Sequence, residues 1–168
     1  MLPKSVLLLL SGCGAGFLLV LALFNPGLRA QAAGAMGGPF VDVPANHIAA
    51  ADVADLKAKG IVTGFADNTY RGSQPITRYE LAVILARFAR YYDHSKEPLS
   101  KKSAAIPASP SWADPSRQYL ASNEFVPATS PLFSAPGTRL VSADEFAGAL
   151  SSIMDRLNDR SLPPTTND

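Results

Sequence analysis

The chain has 168 residues, 47% of them hydrophobic and 17% charged, with a formal net charge of +1. That length suits one or two small domains. Lys4 and Arg29 are the only ionised side chains before Ala33, so the remainder carries 13 basic and 14 acidic groups. A near-neutral body gives little attraction for a phosphate backbone, which excludes nucleic acid as an expected partner. The single cysteine, Cys13, has no internal disulfide partner. Two histidines and no Cys/His cluster leave no basis for a structural zinc site, a metal or a cofactor. They also speak against Ser-His-Asp or Cys-His catalysis, and no enzymatic activity is expected.

Residues 5–24 read SVLLLLSGCGAGFLLVLALF, an uncharged run preceded by Lys4. As a helix it spans ~30 Å, enough to cross a bilayer. Asn25-Pro26-Gly27 then ends it, because proline lacks the donor and glycine favours a turn. Three readings of residues 1–32 stay open. Ala30-Gln31-Ala32 fits a signal-peptide cleavage site after a basic and then an apolar region. The length of the apolar run suits a retained membrane anchor. Leu10-Ser11-Gly12-Cys13 is similar to a lipobox, which would make Cys13 a lipidated N-terminus. All three export residues 40–168 from the cytoplasm. Residues 33–39 are small and Gly-rich and read as a flexible tether.

The helix signals beyond the tether are specific. A first helix is expected after Asn46 as N-cap, ending at Gly60 as the left-handed residue past its C-terminus. Its inward face would include Ile48, Val53 and Leu56, with Ile61 and Val62 packing just beyond. Residues 64–75 (GFADNTYRGSQP) form a turn-rich loop. Thr77 with Glu80 three residues on is a capping box, each side chain satisfying an otherwise orphaned backbone donor. Leu81, Ile84, Leu85 and Phe88 then fall at i, i+3, i+4, i+7 as one apolar stripe.

After a polar linker at 93–105, residues 106–160 repeat this plan. Ser142 with Glu145 is a second capping box, and Phe146, Leu150, Ile153 and Leu157 form a second stripe. Leu120 corresponds to Leu56 and Val126 to Val62, both at an offset of 64. An internal repeat of roughly 65 residues, each copy a helix–loop–helix, predicts an all-α fold of repeats packed together, preceded by the apolar leader helix. Residues 161–168 read as a disordered tail.

Phe40-Val41-Asp42-Val43-Pro44, His47-Ile48-Ala49, Gly60-Ile61-Val62-Thr63-Gly64, Asp67, Tyr70-Arg71 and Ile76-Thr77-Arg78-Tyr79-Glu80 together resemble a bacterial S-layer homology (SLH) domain. The order and spacing across 40–92 match one whole repeat. Residues 106–160 read as a degenerate second copy, with Ala143 where Arg78 would be and Glu124 in place of Gly60. Ile48 stands where the family has tryptophan; Trp112 holds that place in the second copy. The resemblance implies an exported protein of the cell envelope that binds peptidoglycan-linked, anionic polysaccharide non-covalently. The family commonly groups three repeats, so a second copy of the chain or another SLH protein is expected to supply the missing faces.

Arg78 is the leading candidate for polysaccharide binding. It sits at a helix start, where a guanidinium and a positive dipole end together suit a carboxylate or phosphate. The other reading is a solvated arginine beside Asp67 or Glu80. A cation there is disfavoured by roughly 0.3–1 kcal/mol, so its removal is expected to leave the fold intact. Asp67 is a candidate acceptor of sugar hydroxyls or a turn former. Tyr70 is a core anchor or a stacking platform, and Thr77 a cap that also borders the candidate site. Asp42 and His47 are expected to fix the entry to the first helix. Asp67-x-Thr69-x-Arg71-Gly72 fails as a calcium loop, because Arg78 stands where the bidentate acid is required.

Overall fold

The computed structural model describes residues 38–95 and 98–161. The expected leader and anchor helix, Cys13, the tether and the terminal tail lie outside the described residues. Among the described residues the secondary structure is helical: α1 at Ala50–Ala58, α2 at Arg78–Tyr92, α3 at Asp114–Ser122 and α4 at Ala143–Ser161, with a 3-10 turn at Pro131–Phe133. Pairing of extended backbone is confined to isolated bridges. The all-α expectation holds. None of the described helices is long and apolar enough to cross a membrane. The chain divides into two compact units, the first ending at Pro75 and the second beginning at Ile76.

In the first unit, α1 begins at Ala50 rather than just after Asn46. The intervening residues form tight turns instead, His47 N–H donating to the Pro44 carbonyl and Ala50 N–H to that of His47, each at 2.9 Å. His47 does serve the helix entry, since its Nδ1 accepts from Ala49 N–H at 3.2 Å. The helix ends as expected. Gly60 takes φ +68°, and its N–H bonds to the Lys57 carbonyl while Ile61 N–H reaches back to Leu56. That double bond pattern satisfies the last free carbonyls of the helix. Phe40, Val53, Leu56, Ile61 and Val62 are buried, whereas Ile48 is 87% exposed and does not join the inward face.

The loop after α1 closes over Phe40. Gly64, at φ +67°, lies so near the Phe40 ring that a Cβ would meet Cε1 at 2.3 Å. Lys57 ties the arriving segment to the loop, donating to the Pro39 carbonyl at 2.6 Å and to Asn68 Oδ1 at 3.2 Å. Its ammonium also stands 4.1 Å from the Phe40 ring centre, a cation–π arrangement.

In the second unit, α2 packs against α3, α4 and the 3-10 turn. Leu81, Leu85 and Phe88 of the expected stripe are buried, as are Phe146, Leu150 and Ile153 of α4. The segments leading into α2 and α4 run antiparallel, with a bridge between Thr77 and Leu140. Val141 N–H donates to the Ile76 carbonyl at 2.9 Å and Arg78 N–H to that of Arg139 at 3.0 Å. At the far end, Arg160 of α4 pairs with Asp93 just past α2 at 3.0 Å, both side chains nearly inaccessible.

The end of α3 repeats the end of α1 residue for residue. Glu124 takes φ +60°, its N–H bonds to Ala121, and Phe125 and Val126 N–H both reach Leu120. Gly60, Ile61 and Val62 do the same to Lys57 and Leu56.

Candidate functional site

Asp67 and Tyr70 lie in the loop of the first unit, and both are integrated into it. Asp67 Oδ1 accepts from Thr69 N–H at 3.1 Å and from its hydroxyl at 2.6 Å, an Asx turn. Its Oδ2 accepts from Arg71 at 2.7 Å. The Thr69 hydroxyl, followed by the Arg71 guanidinium, holds the Asp67 carboxyl down at about 2. Arg71 in turn covers Phe65, its guanidinium carbon 4.2 Å from the ring centre. The cation that Asp67 holds thus comes from its own loop.

Tyr70 stacks on Phe40 with ring centres 5.5 Å apart, and burial pushes its hydroxyl pKa up. Sequence reasoning placed Asp42 at the helix entry. The structure gives it a different task, because its carboxylate receives the Tyr70 and Arg71 N–H groups, both at 2.7 Å. These bonds, led by that from Tyr70, lower its pKa. Arg71 needs this support, since it holds φ +56°, a region costly for a residue with a side chain.

Thr77 and Arg78 lie at the start of α2 in the second unit. The capping box forms as expected: Glu80 Oε2 accepts from Thr77 N–H at 2.8 Å and from its hydroxyl at 2.7 Å, and Thr77 Oγ1 accepts from Glu80 N–H at 3.3 Å. Ser142 and Glu145 form the equivalent box at α4, with bonds of 3.4 and 3.1 Å.

Arg78 departs from both sequence readings of its surroundings. It is 3% exposed and its guanidinium forms a two-pronged ion pair with Glu145, through Nη2 to Oε1 and through Nε to Oε2, the latter at 3.2 Å. A third bond reaches the Ser134 carbonyl at 3.3 Å. The hydrogen bond from Arg78 lowers the Glu145 pKa. The other donors of this helix start are also engaged, Tyr79 N–H meeting the Gly137 carbonyl at 3.0 Å. The carboxylate that a guanidinium at a helix start attracts is therefore already supplied by the chain.

Arg117, absent from the sequence candidates, is the largest fully buried side chain among the described residues. It donates to the Pro107 carbonyl at 2.8 Å and to that of Phe133 at 2.9 Å. Its guanidinium stands 5.3 Å from the Tyr79 ring and 5.6 Å from that of Phe133, and burial lowers its pKa. An arginine in a Pro-Ser-Arg-Gln stretch carries no signal that would mark it as buried.

The ordering of the first unit's loop, with the capped start of the next helix, coincides with a segment found in known proteins. Residues 39–82 match the S-layer homology domain family. That segment is similar to an S-layer homology domain. The matched segment includes α1, the loop and the first turn of α2, so it contains Asp67, Tyr70, Thr77, Arg78 and Glu80. The chain is 50% identical over 48 residues to the outer membrane protein SlpA of Thermus thermophilus, covering 29% of this chain and 5% of the relative. It is 44% identical over 62 residues to the outer membrane protein SlpA of Deinococcus radiodurans, covering 34% of this chain and 5% of the relative. The chain thus spans about a twentieth of the length of these relatives. No solved structure matches. The domain and these relatives point to an exported protein of the cell envelope.

Proposed function

We propose that the protein is a non-enzymatic envelope component that attaches non-covalently to a peptidoglycan-linked, anionic polysaccharide through its S-layer homology domain. The observation that carries this reading is the match over residues 39–82, combined with a loop whose Asp67 and Arg71 are held on the surface in fixed geometry. In the first unit, Asp67 offers its remaining lone pairs to sugar hydroxyls, with Tyr70 in the same loop; in the second, Thr77 and Arg78 at the start of α2 are separate candidate contacts. For Arg78 this requires an acidic sugar group to exchange with the Glu145 carboxylate, a like-for-like substitution in charge. Residues 106–160 act as a second, degenerate repeat, a reading supported by the matched turns at Gly60 and Glu124.

The burial of Arg78 against Glu145 favours a second reading. In it the domain pairs with another envelope protein or a second copy of the chain, and the sugar site is vestigial. The membrane is a further partner in either case where residues 1–32 are retained uncleaved. Two variants separate the readings. Asp67→Asn and Arg78→Lys are measured for binding to purified sacculi, with the folded fraction checked by circular dichroism. Attachment to polymer predicts weakened binding by folded protein in both. Unchanged binding by both, with concentration-dependent self-association in sedimentation, supports the second reading.

A further inference from the structure

Trp112 is the only tryptophan of the chain, and it lies 57% exposed just before α3. Its position corresponds to Ile48, at the same offset of 64 that relates Gly60 to Glu124. Ile48 is 87% exposed, so both copies present a large apolar side chain to solvent at the same register. Exposure of an indole is costly, and its recurrence at a repeat-equivalent position argues for a contact rather than an accident.

The surroundings of Trp112 are fixed. The Tyr79 ring meets it edge-on, with centres 6.0 Å apart and planes at 82°. Tyr79 itself is clamped: a Cβ on Gly137 would fall 2.0 Å from Cε1 of that ring, so the glycine backbone lies flush against it. Arg117 stands beside the same ring at 5.3 Å. The Tyr79 hydroxyl and the Trp112 indole N–H make no hydrogen bond to protein among the described residues, while Ser111 alongside is exposed. The result is a rigid aromatic corner, one ring wide, with two free polar handles at its edges.

We infer that Tyr79 and Trp112 form a carbohydrate subsite that stacks one pyranose ring of the wall polysaccharide. The chemistry fits a sugar, because the C–H face of a pyranose lies on an indole while its hydroxyls need the adjacent N–H and O–H groups. A protein hot spot needs a wider apolar surround; Ser111 next to Trp112 in the chain, and Thr138 and Arg139 next to Gly137, are polar and exposed, although Leu140 after them is an exposed apolar residue. The inference rests on the polymer-attachment reading and extends it to the second unit, most of which the family match does not cover.

Because Trp112 is the lone tryptophan, its fluorescence reports on the subsite in the unaltered protein. The full chain is titrated with polysaccharide released from purified sacculi by muramidase. The emission is expected to move to shorter wavelength and to become protected from acrylamide quenching. Trp112→Ala is expected to weaken sacculus binding about tenfold, with Trp112→Phe retaining most of it. As an exposed residue, Trp112 is replaceable without loss of fold, which melting curves verify. Polymer binding with unchanged emission, or with full affinity in Trp112→Ala, overturns the subsite alone. Failure of the unaltered protein to bind sacculi overturns the attachment reading and the subsite with it.

Discussion

The Arg78 guanidinium closes on the carboxylate of Glu145, 67 residues further along the chain, in a pair of which almost nothing reaches solvent. Glu145 serves twice, since it also completes the capping box of its own helix. The ion pair therefore joins the first turn of α2 to the first turn of α4.

Arg78→Ala is expected to lower the stability of the second unit by ~3 kcal/mol, because it strands a partly buried carboxylate. The local argument from the helix dipole alone predicts a small gain, and the paired carboxylate reverses its sign. Glu80→Ala, which breaks only the cap at Thr77, should cost ~1 kcal/mol. Urea unfolding of the two variants measures the contrast. Equal midpoints for Arg78→Ala and the parent would show that the pair contributes nothing.

Acid should destabilise the protein. The Asp67 carboxyl titrates at about 2 in the folded chain against an ordinary 3.8, and Asp42 and Glu145 are also lowered. Each folded pKa lies below the unfolded one, so the unfolded chain binds more protons as the pH falls. The stabilisation from Asp67 is fully present above its ordinary 3.8 and is lost as the pH falls toward about 2. Asp67→Asn should flatten the part of the pH–stability curve between these values. An Asp67→Asn curve parallel to that of the parent would count against the assignment.

Two left-handed positions, Glu124 and Gly64, make opposite predictions. Glu124 holds φ +60° with a side chain, so Glu124→Gly should stabilise by about 0.5–1 kcal/mol, the relief of left-handed strain less the added chain entropy. Gly64→Ala should destabilise severely, because its Cβ would strike Phe40 and the Thr69 carbonyl oxygen, the latter at 2.7 Å. Thermal melting of the two variants should move in opposite directions, and a shared direction would contradict this account of the turns.

A chain ending at Ser95 should lose helix content from α2. Its residues Leu81, Leu85 and Phe88 are buried, and the helix packs against α3, α4 and the 3-10 turn, all of which the truncation removes. Retention of the α2 contribution to the circular dichroism signal would show that the helix is stable without those partners.

The features legible in the sequence are local. The caps at Thr77 and Ser142 and the end of α1 at Gly60 are decided within four or five residues, where side chain and backbone meet without tertiary help. The helix periodicity likewise locates the buried stripes of α2 and α4. The start of α1 is misread because Asn46 is a good cap in isolation, while the Pro44 turn delays the helix to Ala50. Glu124 in place of Gly60 resembles wear, yet its backbone adopts the same left-handed turn. Ala143 opposite Arg78 resembles the loss of a functional cation; two residues on, Glu145 supplies the anion that Arg78 binds. Neither that pairing nor the burial of Arg117 leaves a local trace, since both depend on contacts between distant segments.

Co-sedimentation of the protein with purified sacculi, before and after acid removal of the wall-linked polymer, tests the central claim most directly. Attachment through the S-layer homology domain predicts that the protein pellets with untreated sacculi and stays in solution once the polymer is gone. Protein that remains in solution with untreated sacculi, or pellets equally with both, would contradict it.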